Sequence, residues 1–363
     1  MLNNVKCRDN DLLGYIEGKA GTVEEIKSVS KTSSEQVVED DKVNPEHYQG
    51  TSKGTLIKMN PVRQIAFGYS TQCNIRCGHC VAADALPGPG KMDFDRAKDI
   101  ILEMASCHVT GISFTAGEPL LFFDNICKLI QLCRDTGIYS RIVTNGYWAK
   151  TREHADGVVS ELMSNGLSQL RLSYSRWHQQ HINRENIVQA ALSCQKHGLD
   201  YFVSFVTDFS KKDDSFEQFL RDHHLKFFPE PVIYFGRAGE FDRQRVSTDY
   251  RPNACSMNPY LSPELDMFAC CDAANRFSKT DFLYLGNLHN DRIDALFRKM
   301  ETHILYHVIR TIGLTNMASY IGFKAREIVR YRKCELCEKL FNSKENLSIL
   351  TKAASSDLIN WRR

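Results

Sequence analysis

From about residue 60 the chain repeats one pattern: a short apolar or alternating run, then a longer stretch whose apolar residues recur every three or four positions. The first period suits a strand and the second an amphipathic helix. VRQIAFGYS (62–70), GISFTAG (111–117), YSRIVTNG (139–146), LSQLRLSYS (167–175), LDYFVSFVTD (199–208) and PEPVIYFG (229–236) read as strands. Between them, DFDRAKDIILEMASC (93–107), FDNICKLIQLCRDTG (123–137) and segments near 153–165 and 182–197 read as helices, with a shorter one before the sixth strand. Gly137 and Gly198 stand where a helix C-terminus favours glycine. Strand–helix units of this length predict a parallel sheet covered by helices. About six of them predict an α/β fold built on a partial (β/α)6 parallel barrel, not a closed eight-fold one.

The flanks break the pattern. Residues 1–58 are polar, and GKAGTVEEIKSVSKTSSEQVVEDDKVNPEHYQGTSKG (18–54) has no sustained apolar period, so a disordered arm is expected there. The barrel is expected over 59–240. Beyond Gly236, short strands and turns (250–290) give way to mainly helical sequence (291–333) and then to CELC. That predicts a smaller C-terminal cysteine-rich α+β module over 241–345, with 346–363 as a polar tail. KAREIVRYRK (324–333) is a basic helix: a solvated face, or a docking surface for an acidic peptide or an electron donor.

A formal net charge of +2 over 363 residues supplies no field that would recruit nucleic acid or a membrane surface. The first residues, MLNNVKCRDNDLLGY, lack the apolar run of a secretory signal, and no stretch reaches the roughly 18 apolar residues of a membrane span. The expected location is the cytoplasm. There, 13 cysteines point to metal binding or catalysis and not to disulfides. Cys7, Cys107, Cys127, Cys133 and Cys194 are scattered, as small buried hydrophobes often are.

The others form two groups. In YSTQCNIRCGHC (69–80), Cys73, Cys77 and Cys80 follow directly on the first strand, at the end where parallel α/β folds bind ligands. Three thiolates on a four-iron cluster leave one iron open to a small molecule. A zinc site borrowing His79 is the alternative. Cys255, Cys270 or Cys271, Cys334 and Cys337 offer four thiolates, enough to close a second 4Fe–4S cluster or a structural zinc site. In an extended segment Cys270 and Cys271 point to opposite faces, so only one of them readily serves a given cluster.

CNIRCGHC, TAGEPL (115–120), TNG (144–146) and LSYS (172–175), spread over residues 60–240, resemble the radical S-adenosylmethionine (AdoMet) superfamily. The resemblance implies that Cys73, Cys77 and Cys80 hold a 4Fe–4S cluster whose open iron takes AdoMet, with His79 as the aromatic-type residue before the last cysteine. It implies that Gly117 admits close backbone approach and Glu118 accepts from the AdoMet ammonium. Thr144 and Ser173 are expected to reach ribose or carboxylate oxygens, and Arg184 to pair with a carboxylate. Ala116 fills a glycine position, a mild change on the view that it adds only a methyl. Ser175 stands where many relatives carry aspartate, and His178 in RWHQQH is a candidate for facing substrate.

The second group resembles the short "twitch" form of the SPASM auxiliary domain, with Leu265 in place of the hairpin's usual glycine. Its spacing implies Cys270 as the ligand and leaves Cys271 as a candidate catalytic thiol that gives hydrogen to a substrate intermediate. The implied partners are a peptide or small-molecule substrate and a one-electron donor such as flavodoxin or ferredoxin. Many peptide maturases carry a winged-helix leader-binding domain, which the polar arm cannot form, so a separate precursor-recognition protein is a further possible partner. Peptide or protein side-chain modification is the leading expectation. A small-molecule dehydrogenase and a non-catalytic iron–sulfur or zinc scaffold are the competing ones. The three-plus-four grouping makes a countable claim. Anaerobic reconstitution is expected to give about eight irons per chain, and alanine at Cys73, Cys77 and Cys80 to leave about four; zinc in the C-terminal module would contradict it.

Overall fold

The computed structural model describes residues 63–82, 90–241, 255–271 and 282–356; the N-terminal arm and Cys7 lie outside them. Six strands run parallel in sequence order: β1 (Arg63–Ser70), β2 (Val109–Ala116), β3 (Tyr139–Thr144), β4 (Gln169–Tyr174), β5 (Asp200–Thr207) and β6 (Phe227–Pro231). Helices α1 (Phe94–Ser106), α2 (Phe123–Asp135), α3 (Arg152–Ser164), α4 (Glu185–His197) and α5 (Asp214–Asp222) connect them, giving the incomplete barrel that the periodicity predicts. Local signals set their ends. Asp93 caps α1 by accepting from the Arg96 N–H at 2.9 Å, and Gly198 ends α4 with φ of +75°.

Alternation along each strand divides the sheet into two faces. Ile65, Phe67 and Tyr69 of β1, Ile112 and Phe114 of β2, and Leu170, Leu172 and Tyr174 of β4 share the main core with Ile100, Ile101 and Met104 of α1. Ala66 faces the other way, in a separate cluster with Tyr260 and Phe268.

The sixth strand lies earlier than expected. Pro229 and Pro231 cannot donate to a ladder, which suits an edge strand. Val232 and Tyr234 leave the sheet and pack against Cys77 and Trp177.

The C-terminal residues do not begin a new sheet. Strands β7 (Tyr260–Leu261), β8 (Asp266–Phe268) and β9 (Tyr284–Asn287) extend the barrel sheet beyond β1, giving nine strands among the described residues in the order β6-β5-β4-β3-β2-β1-β7-β8-β9. Strand β7 runs parallel to β1, pairing Ala66 with Tyr260 and Phe67 with Leu261, while β8 and β9 return antiparallel. Helices α6 (Ile293–Thr302), α7 (Ile304–Thr311), α8 (Leu314–Tyr320), α9 (Ala325–Ile328), α10 (Lys333–Phe341) and α11 (Lys344–Ser356) follow.

Two expectations change here. The residues read as a tail are helical to Ser356, because Leu350, Ala353 and Ala354 recur at helical spacing and are buried; residues 357–363 lie outside the described ones. The basic stretch 324–333 is not one solvated helix. Lys324, Arg326 and Arg330 are exposed, but Arg332 is buried, donates to the Val232 carbonyl and stacks over Tyr234 at 4.5 Å. It pins the cysteine-bearing α10 to the end of β6.

Arg63 makes the corresponding tie at the start of β1. It donates to both Glu301 carboxylate oxygens (2.7 and 2.9 Å), to Asp294 Oδ1 (2.7 Å) and to the Cys107 carbonyl (2.8 Å). Its guanidinium also lies over Phe297 of α6 at 5.1 Å. Removing it leaves the half-buried Glu301 carboxylate without its cation and Asp294 with the exposed Arg298 alone. Arg63→Met is expected to lose about 2–4 kcal/mol in chemical denaturation, whereas disruption of the exposed Arg221–Glu217 pair should cost under about 1 kcal/mol.

Candidate functional site

The chain leaving β1 is clasped at once. Thr71 N–H donates to the Gly90 carbonyl (2.9 Å), Met92 N–H to Tyr69 (2.8 Å), and Ser70 Oγ to Gly90 (2.8 Å). Held in this way, residues 71–82 bring Cys73, Cys77 and Cys80 together. The Cys77 thiol is pushed up to about 12, first by burial and then by Cys80 and Cys73. Cys73 is also raised, by burial first, with Glu118 and Cys80 adding to it. Three sulfurs this close repel one another as thiolates, and a bound cationic centre relieves that repulsion. The donor set therefore fits a thiolate-ligated iron–sulfur group.

The TAGEP turn lies against this loop. Glu118 N–H donates to the Gln72 carbonyl (2.7 Å), and a Cβ on Gly117 would sit 2.0 Å from that same oxygen. Gly117 is thus required by space. Its neighbour Ala116 has φ of +92°, a backbone region made for glycine. The alanine therefore keeps the glycine conformation at a cost, and its methyl is only part of the change.

Glu118 is 2% exposed. Its Oε1 accepts from Leu120 N–H (3.1 Å) and Thr144 Oγ1 (2.8 Å), and its Oε2 accepts from Asn145 N–H (2.8 Å). Burial lifts its carboxyl to about 7, against the pull of these three donors. No cationic side chain pairs with it among the described residues. A buried carboxylate with donors but no counter-charge is suited to receive an ammonium.

Thr144 is not free for a ligand. It donates to Glu118 and accepts from Trp148 Nε1 (3.1 Å) and Gly146 N–H (3.3 Å), which uses all that a hydroxyl offers. It shares the helix-side face of β3 with Ile142, where it braces Glu118. Arg184 is also placed elsewhere: its side chain is 57% exposed, 4.0 Å from Glu185, and lies over the Phe219 ring at 4.5 Å. It immediately precedes α4, and the Phe219 ring is what its guanidinium meets. Ser173 keeps a hydroxyl with no hydrogen bond among the described residues. Asn145 was not anticipated, although TNG contains it; its side chain reaches Asn74 Oδ1 (2.9 Å) and Cys73 Sγ (3.9 Å).

His79 and His178 pack together behind the loop, with ring centroids 4.6 Å apart, and one ligand atom from each lies within 4.8 Å of Cys77 Sγ. Burial pushes His79 down to about 4, helped by Arg237 and Arg176. Ser175 Oγ accepts from the N–H groups of Trp177 and His178 (both 3.2 Å), so its own proton goes to His178 Nδ1 at 2.8 Å. That leaves the imidazole proton on Nε2. His178 is buried against His79 and Cys77, and not presented on an open face toward substrate.

In the second group, Cys337 on α10 is raised well above its ordinary value by burial, then by Cys270 and Cys255, which places those three together. Cys334 sits three residues earlier on the same helix, hence on the same face. Cys270 and Cys271 diverge. Tyr306 is raised, after burial, by Cys337 and Cys270, whereas Tyr260 is raised, after burial, by Glu264 and Cys271. Cys271 packs against the small cluster of Ala66, Tyr260 and Phe268, which Ala116 of the TAGEP turn also borders. Leu265 holds φ of +69°, so the hairpin keeps its glycine-type turn without a glycine.

Residues 69–223 match the Radical SAM superfamily. This stretch is a Radical SAM domain. A relative from Bacillus subtilis (strain 168), the putative peptide biosynthesis protein YydG, is 19% identical over 303 residues, covering 79% of this chain and 94% of its own. A GTP 3',8-cyclase of Xanthomonas axonopodis pv. citri is 31% identical over 93 residues, 24% of this chain and 28% of its own. The solved structure of anSMEcpe with bound AdoMet shares the fold, with a TM-score of 0.53 at 14% identity over 83% of this chain and 98% of that one. The protein is accordingly a radical AdoMet enzyme that uses a 4Fe–4S cluster and AdoMet.

Adjacent positions in the Radical SAM turn should respond in opposite directions. Ala116→Gly is expected to raise the stability of the metal-free protein by up to about 1 kcal/mol. Gly117→Ala is expected to lower it by about 1–3 kcal/mol and to reduce iron retention, both read by denaturation and iron analysis.

Proposed function

We propose that this enzyme modifies a peptide, removing a hydrogen atom from a substrate carbon and returning one from Cys271. The observation that carries this reading is the placement of Cys271. It packs against the small cluster of Ala66, Tyr260 and Phe268, which Ala116, the residue before Gly117 and Glu118, also borders, whereas Cys255, Cys270 and Cys337 pack against the main core. The near full-length similarity to a putative peptide biosynthesis protein supports the peptide as substrate class.

In this reading Cys73, Cys77 and Cys80 hold the catalytic cluster, and Cys255, Cys270, Cys334 and Cys337 hold a second one. When bound, the reduced cluster and AdoMet supply a 5′-deoxyadenosyl radical that takes hydrogen from substrate. Glu118 receives the ammonium of AdoMet in a site closed to water, Gly117 lets the backbone approach it, and Ser173 offers a free hydroxyl. His79 packs beside Cys77 and Trp177 and excludes solvent from the loop. The Cys271 S–H bond breaks as a new C–H bond forms on the substrate radical. The resulting thiyl takes one electron and one proton to regenerate the thiol, the electron coming from a flavodoxin- or ferredoxin-class donor. A separate protein that presents the precursor peptide fits the same scheme.

Cys271→Ser is expected to retain the iron of both clusters and still form 5′-deoxyadenosine with short peptides encoded beside its gene, but to yield no repaired product. In deuterium oxide the wild type is expected to place one deuteron on the modified carbon. A normal product yield from Cys271→Ser would remove the donor role, and the loss of four irons would mean that Cys271 is a ligand.

A further inference from the structure

We propose that Asn145 tunes the catalytic cluster, its side-chain amide donating to the Cys73 thiolate while its backbone N–H holds Glu118. The inference rests on the reading that Cys73, Cys77 and Cys80 carry that cluster.

Asn145 is 6% exposed and reaches three parts of the site. Its N–H donates to Glu118 Oε2 at 2.8 Å. Its Oδ1 accepts from Tyr147 N–H at 3.0 Å, which fixes the amide orientation and turns Nδ2 toward the cysteine loop. The two amide protons then have separate acceptors, Asn74 Oδ1 at 2.9 Å and Cys73 Sγ at 3.9 Å. Cys73 is the one cysteine of its group with a side-chain hydrogen bond among the described residues; its thiol also faces Asn74 Oδ1 at 4.0 Å, an arrangement that ends when the sulfur becomes a ligand.

A donor to a ligating sulfur stabilises the more electron-rich, reduced cluster and so raises its potential. Asn145 is therefore a positioning residue whose two ends serve different cofactors: the side chain acts on the iron–sulfur group and the main chain on the carboxylate proposed for AdoMet. Any substitution other than proline keeps the main-chain N–H, so the two roles separate experimentally.

The test is a redox titration of the anaerobically reconstituted enzyme, following the electron paramagnetic resonance signal that changes when AdoMet is added. Asn145→Leu removes the donor and keeps the backbone N–H. It is expected to retain wild-type iron and to bind AdoMet within about twofold in equilibrium dialysis. The equilibrium constant for cluster reduction should fall about tenfold, a shift of about 59 mV to more negative potential. Asn74→Ala, which frees the amide from its second acceptor, should change the potential less. Should Asn145→Leu fail to fold or load, Asn145→Ser, too short to reach the sulfur, carries the same expectation. An unchanged potential in an iron-replete variant overturns the proposal. So does a loss of AdoMet affinity without a change in potential, which would make Asn145 a structural clamp. A wild-type enzyme with no AdoMet-responsive signal overturns the cluster reading beneath it.

Discussion

The site depends on one contact between main chains. The loop that follows β1 and the turn that follows β2 touch where Gly117 lies under the Gln72 carbonyl, and Glu118 N–H closes the junction. Both segments leave neighbouring parallel strands at the same end of the sheet, so their approach is imposed by the sheet's spacing. What remains is to remove the side chain in the way, which glycine does. Close approach has a polar consequence as well: it draws Glu118 out of solvent, where three hydrogen-bond donors hold its charge without neutralising it. A carboxylate in that condition and three converging thiols are complementary deficits, one of positive charge and one of metal.

The strain in the same turns follows from that geometry. Ala116 and Leu265 both hold backbone angles that glycine adopts freely, one at the catalytic loop and one at the hairpin beside the second cysteine group. Both turns hold these angles without a glycine. The surrounding pairing, β1 with β2 and β7 with β8, over-determines them.

The parts of this protein legible in its sequence are those in which a spacing and a local geometry coincide. The Cys-x3-Cys-x2-Cys loop, TAGEP and the helix-ending Gly198 each carry their meaning within a few residues. The parts that were not legible depend on pairing across distance. Strand β7 is only Tyr260 and Leu261, too short to show a period, and it exists because β1 offers an open edge. Thr144 had a readable signal: Ile142, two positions earlier, is a core residue, so alternation sends the hydroxyl to the helix side, where Trp148 meets it. Arg184 and His178 were placed by ring partners, Phe219 and His79, that no local pattern reveals. In the last turns of the chain, Leu350, Ala353 and Ala354 were hidden among polar neighbours.

The pairing of β1 with β7 also sets a schedule for biosynthesis. Ala66 leaves the ribosome long before its partner Tyr260. At typical elongation rates the delay is on the order of ten to forty seconds. During it one edge of β1 stays unpaired beside apolar residues, the kind of surface that captures other nascent chains. Cys255 arrives just before Tyr260 and Cys270, Cys334 and Cys337 after it, so the three-cysteine loop is complete while the sheet beside it is not. A cell short of iron or of chaperones would meet this protein in that half-built form.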